Sequence, residues 1–98
     1  MSHLSDLIKE RTKIMVAGDV LKYYYQHQKE EDMKVVEDAL EKIKEEEPFY
    51  WKILEFIYLN NWSMTKTWVQ LKYCSERTMY YKRDRMLLQL YKYVFGGD

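Results

Sequence analysis

Between Gly18 and Gly96 the chain contains no glycine and a single proline, Pro48. These two residue types punctuate turns, bulges and strand ends, so so long a stretch without them leaves little with which to build a sheet. Apolar residues instead recur at spacings of three and four, the period of a helix with one buried face. The expected fold class is all-α, a small helical bundle. The 98 residues are 47% hydrophobic and 16% aromatic, enough for one core and too aromatic for a disordered chain.

The spacing predicts a short amphipathic helix over residues 2–17, with Leu4, Leu7, Ile8 and Met15 near one face, and a break at Gly18-Asp19. Helical spacing resumes from Val20 to Glu47 through Leu21, Tyr24, Tyr25, Val36, Leu40 and Ile43. This is one helix, or two divided at the polar patch Gln28 to Asp32 with Asp32 capping the second. The run Glu45-Glu46-Glu47 stands before Pro48, and acids and proline both suit the start of a helix. A helix is therefore expected from Pro48 to Asn60, with Phe49, Ile53, Leu54, Ile57 and Tyr58 inward. Asn60-Asn61 ends it, because asparagine tolerates the left-handed conformation of helix ends. Ser63 caps a short helix Met64–Leu71, Lys72-Tyr73-Cys74 makes a turn, and Ser75 caps a last helix running to about Phe95 and stopping at Gly96-Gly97. Trp51, Trp62 and Trp68 read as core anchors, and Tyr23-Tyr24-Tyr25 as packing or a protein interface.

The formal net charge is zero but unevenly spread. Residues 1–48 hold eight Lys/Arg against twelve Asp/Glu, whereas residues 49–98 hold eight against four. An acidic half joined to a basic half suggests that one carries a polyanion contact and the other a different task. The chain accordingly divides into an acidic helical segment, 1–47, that is a candidate partner or dimer interface, and a basic segment, 48–98. The single cysteine, Cys74, cannot form an internal disulfide, and no apolar run reaches the ~18–20 residues of a membrane span. Asp6 and Glu10 interrupt any signal-peptide core, so a cytoplasmic location follows by elimination. No phosphate-binding glycine loop and no nucleophile–base pairing is legible, and His3 and His27 are isolated. An enzyme, a metal site and a cofactor are not expected.

The constellation with chemistry lies in the last helix. Met79, Met86 or Leu87, Leu90 and Val94 form a core stripe. Glu76, Arg77, Tyr80, Tyr81 and Asp84 point elsewhere. A short helix, a brief turn and a capped basic helix stand in the order of a helix-turn-helix, in which the first residues of the second helix reach base edges. Arg77 suits guanine acceptors, Tyr80 and Tyr81 suit thymine methyls or phosphates, and Glu76 belongs to the same DNA-binding set. Ser75 and Thr78 suit phosphate oxygens beside the helix N-terminus, and Lys66, Lys72, Lys82, Arg83 and Arg85 suit phosphates on either side. Tyr80 is expected to be the more buried of the two tyrosines. Trp68 and Leu71 should pack against Cys74 and Met79, with Cys74 a packing thiol and not a nucleophile.

The segment Trp62 to Arg85 resembles the C-terminal helix-turn-helix of region 4 of sigma factors. It is most similar to the version in small phage late-transcription regulators of the ArpU and RinA type. Ser75, Thr78, Tyr80, Arg83 and Leu90 match a Ser-x-x-Thr start, aromatic and basic residues after it, and a leucine-rich trailing turn. The resemblance covers about residues 35–95 and departs at Trp68-Val69, where a smaller pair is usual. It implies a sigma-region-4-like helix-turn-helix in 48–98, and a sequence-specific double-stranded-DNA-binding transcriptional regulator of phage or prophage origin. The implied partners are duplex DNA and, through the N-terminal half, RNA polymerase or a second copy. Two other readings stand beside it: an adaptor or inhibitor of a host protein that keeps the shape without binding DNA, and a structural helical subunit.

Overall fold

The computed structural model describes residues 2–27, 30–72 and 74–96, without the side chains of residues 2 and 3. Helices account for most of these residues and no strand occurs among them, so the chain is an all-α helical bundle. Helix α1 (Ser2–Gln26) continues through Gly18-Asp19, where the sequence suggests a break. A glycine inside a helix costs only about 1 kcal/mol relative to alanine, which packing overrides. Gly18 is buried against the phenol of Tyr58, and a Cβ there would stand 3.0 Å from the Tyr58 hydroxyl oxygen. The glycine permits a close approach and does not end a helix.

Gln28 and Lys29, in the patch expected to divide the next helices, lie outside the described residues. Beyond them a 3-10 turn, Glu31–Met33, leads into α2 (Lys34–Glu46). Asp32 sits within that turn and is not a cap; the residue before α2 is Met33, which makes no side-chain cap bond. Val36, Ala39, Leu40 and Ile43 form the buried stripe of α2. Glu47 leaves the helical region, at φ −129° and ψ 66°, as a residue before proline does. Glu45 and Glu46 therefore belong to the last turn of α2 and Glu47 is its cap, so the acidic run closes one helix and does not open the next. Carboxylates at that end oppose the helix dipole. Two contacts offset this: Lys82 donates to both Glu47 oxygens at 3.2 and 3.0 Å, and the Tyr93 hydroxyl donates to Glu46 Oε2.

The helix expected from Pro48 to Asn60 is shorter and wider than its spacing suggests. The Tyr50 and Trp51 amides both donate to the Glu47 carbonyl, at 3.2 and 3.0 Å, making a turn. Helix α3 (Lys52–Leu54) widens at once into a π-helical stretch, Glu55–Leu59, where the Asn60 amide bonds the Glu55 carbonyl at 3.1 Å. Ile53 and Leu54 are buried, and Ile57 and Tyr58 pack against the core. Phe49 is not inward; it lies in the turn, off the helical register, and is 74% exposed. Asn61 takes the left-handed conformation at φ 59° and ends the segment.

The last two helices fall where their caps predict. In α4 (Met64–Leu71) the Lys66 amide donates to Ser63 Oγ at 3.0 Å. In α5 (Glu76–Phe95) the Thr78 amide donates to Ser75 Oγ at 3.1 Å, and Gly96 closes the helix at φ 71°. Between them Lys72 turns the chain at φ 57°; Tyr73, and Gly97 beyond the last helix, lie outside the described residues. The Trp68 indole N–H donates to the Cys74 carbonyl at 3.0 Å, so its bulk closes the turn, while Val69 points to solvent. Trp51 and Trp68 pack against the core, and Trp62 stacks on Phe56 with ring centroids 4.6 Å apart.

One core joins the acidic and basic segments. Ala17 and Leu21 of α1, the α2 stripe, Ile53, Leu54, and Met79, Met86, Leu87 and Leu90 of α5 are all buried in it. Helix α5 is its centre, packed against both α1 and α2.

Candidate nucleic-acid interface

Residues four apart advance only about 40° around a helix, so Arg77, Tyr81 and Arg85 form one strip along the first half of α5. All three are exposed, and among the described residues no carboxylate pairs with either arginine. The strip lies opposite the buried Met79, Met86 and Leu90. Tyr81 is 61% exposed and Tyr80 39%, so Tyr80 is the less exposed of the two without being buried. Glu76 is exposed at the first turn.

Two other expected contacts, Lys82 and Arg83, are partly buried and ion-paired. Lys82 is half-buried, ion-paired with Glu47, and its ammonium stands 4.9 Å from the centre of the Tyr50 ring. Arg83 donates from Nε and Nη2 to Asp84 Oδ1 at 3.0 and 2.8 Å and lies over the Tyr80 ring. Ser75 accepts the Thr78 amide and donates its own proton to Thr78 Oγ1 at 2.9 Å. Lys66 is exposed, with its ammonium 4.5 Å from the centre of the Trp62 ring, and Lys72 is exposed at the turn.

Glu46 and Glu47 are site neighbours that sequence reasoning missed. With Tyr81, Lys82 and Arg85 they line an open groove of about 220 Å³ between α2 and α5. The acidic run is visible in the sequence, but nothing local tells that it ends α2 beside α5. Tyr93 in the same region holds its proton more tightly than usual, first because it donates to Glu46 and then through burial. Lys92, exposed farther along α5, continues the basic face.

Cys74 is half-buried and burial raises its thiol pKa, which disfavours the thiolate. His27 Nδ1 lies 3.0 Å from Glu30 Oε1, and its ring stacks on Tyr23. No helix among the described residues is long and apolar enough to cross a membrane. No protein-family model, curated protein or solved structure matches this chain.

Proposed function

We propose that the chain is a sequence-specific, double-stranded-DNA-binding regulator of transcription, of phage or prophage type, that lays the first half of α5 in a major groove. The observation that carries this reading is the exposed strip Arg77–Tyr81–Arg85 on a serine-capped helix that follows a short helix and a turn. Arg77 and Tyr81 meet base edges, since the N-terminal residues of such a helix lie deepest in the groove. Arg85, Lys66, Lys72 and Thr78 hold the backbone. Lys82 and Arg83 are engaged within the chain, with Glu47 and with the neighbouring Asp84, and the proposal does not rest on them.

Selection of bound sequences from random duplexes tests the proposal. The expected outcome is a recovered motif that Arg77→Ala abolishes; enrichment of no sequence sinks it. One observation favours a second reading, an adaptor that binds a protein: Glu46 and Glu47 line the groove shared with Tyr81 and Arg85, where a phosphate chain would meet them. That reading predicts no duplex binding even at low salt, where electrostatic attraction is strongest.

A further inference from the structure

The outward face of α1 is left unused by DNA contact. Spacings of three and four put Leu4, Ile8, Arg11, Met15, Asp19 and Lys22 along it. Leu4, Ile8 and Met15 are 64%, 60% and 69% exposed. At Met15 opens a crevice of about 470 Å³ whose lining includes Met15 itself, Gly18, Tyr58, Asp19 and the cations Arg11, Lys22 and Arg83. Gly18 contributes no side chain to fill it.

We propose that this face is the contact between two copies of the chain, paired antiparallel along α1 about a two-fold axis at Met15. A two-fold interface uses the same patch on both subunits, so that patch has to carry a knob and the hole that receives it. Here Met15 is the knob and the crevice beside it is the hole. The charges obey the same symmetry. Arg11 precedes Met15 by four residues and Asp19 follows it by four, so each Arg11 stands opposite the Asp19 of the second copy. A parallel pairing would set Arg11 against Arg11. Ile8 falls opposite the second copy's Lys22, whose aliphatic stem covers apolar surface while its ammonium stays in water. Met15 lies next to the midpoint of α1 (Ser2–Gln26), so the two helices overlap along nearly their whole length.

The pairing deepens the proposed function by supplying a second reading module, which one short helix needs for useful specificity. The dimer itself is read without DNA. Sedimentation equilibrium of the full chain is expected to show a dimer at micromolar concentration and a monomer for Met15→Glu, with circular dichroism confirming that the exposed substitution leaves the helices intact. Arg11→Asp and Asp19→Arg should each weaken the dimer by about tenfold or more, since each sets like charges together. The double variant Arg11→Asp/Asp19→Arg should restore it. A wild-type chain that stays monomeric, a dimer indifferent to Met15→Glu, or a double variant no better than the singles overturns the pairing. A monomer that still binds duplex through Arg77 overturns the pairing and leaves the DNA reading standing; a charge-swappable dimer that ignores duplex does the reverse.

Discussion

Lys82 carries a charge that its sequence context offers to DNA, yet its ammonium sits 3.0 Å from Glu47. Glu47→Gln therefore frees a cation beside the strip. Duplex affinity at low salt is expected to rise about three- to tenfold, and the salt dependence to steepen by about one unit. Folding stability should change by less than about 1 kcal/mol, the range of a partly exposed pair. Fluorescence anisotropy and a thermal melt measure both, and unchanged affinity would mean that Lys82 does not reach a phosphate. Gly18 offers a second test at this scale. Leucine at this position has to displace the Tyr58 phenol, only 3.0 Å from a modest Cβ. Gly18→Leu is expected to cost about 1–3 kcal/mol by overpacking, read by denaturant titration. Neither residue declares its role locally. Glu47 lies 35 positions from Lys82, and Gly18 lies 40 positions from Tyr58.

Elements with a cap are the ones legible in the chain. Ser63, Ser75 and Gly96 set the bounds of α4 and α5 by bonds that span three or four residues, so local spacing suffices. The strip Arg77–Tyr81–Arg85 is legible for the same reason. The continuity of α1 and the π-helical stretch after Leu54 are not: Gly18 inside α1 packs against Tyr58 of that stretch, a partner distant in the sequence. Loss of a cap should separate stability from binding. Ser75→Ala is expected to cost about 1 kcal/mol, lowering the melting temperature by about 4–8 °C in a domain of this size. Ser75→Asp keeps the cap and its stability but sets a carboxylate against the DNA backbone. Duplex affinity should then fall while the melt stays near wild type; equal affinity for the two proteins would place Ser75 away from phosphate.

For the whole molecule, two bulk responses are expected. The hydroxyls of Tyr24, Tyr25 and Tyr58 are held above their ordinary pKa chiefly by burial, and that of Tyr93 by its bond to Glu46. The unfolded chain therefore loses these protons first as pH rises past about 10. Stability is full below that pH and falls above it, because the folded form binds more protons. Urea midpoints should hold to about pH 9 and then drop, less steeply in Tyr58→Phe. The second response is to salt. Under the proposed function four exposed cations, Lys66, Lys72, Arg77 and Arg85, contact phosphates, and a slope of log affinity against log salt of about −3 to −4 is expected. A slope near −5 or beyond would bring Lys82 and Arg83 back into contact.

Helix α5 presents the strip on one side and fills the core on the other. Its outer residues are free to vary without disturbing Met79, Met86, Leu87 or Leu90, so under the proposed function a new operator preference is expected from rewriting Arg77 and Tyr81 alone. The same economy makes the chain indivisible. A protease or a truncation that removes α1 and α2 strips cover from the apolar side of α5, and the fragment 48–98 is expected to give neither a cooperative melt nor duplex binding. Under the proposed function a lesion that unfolds the core also removes the strip, whereas a change confined to the strip leaves the core intact.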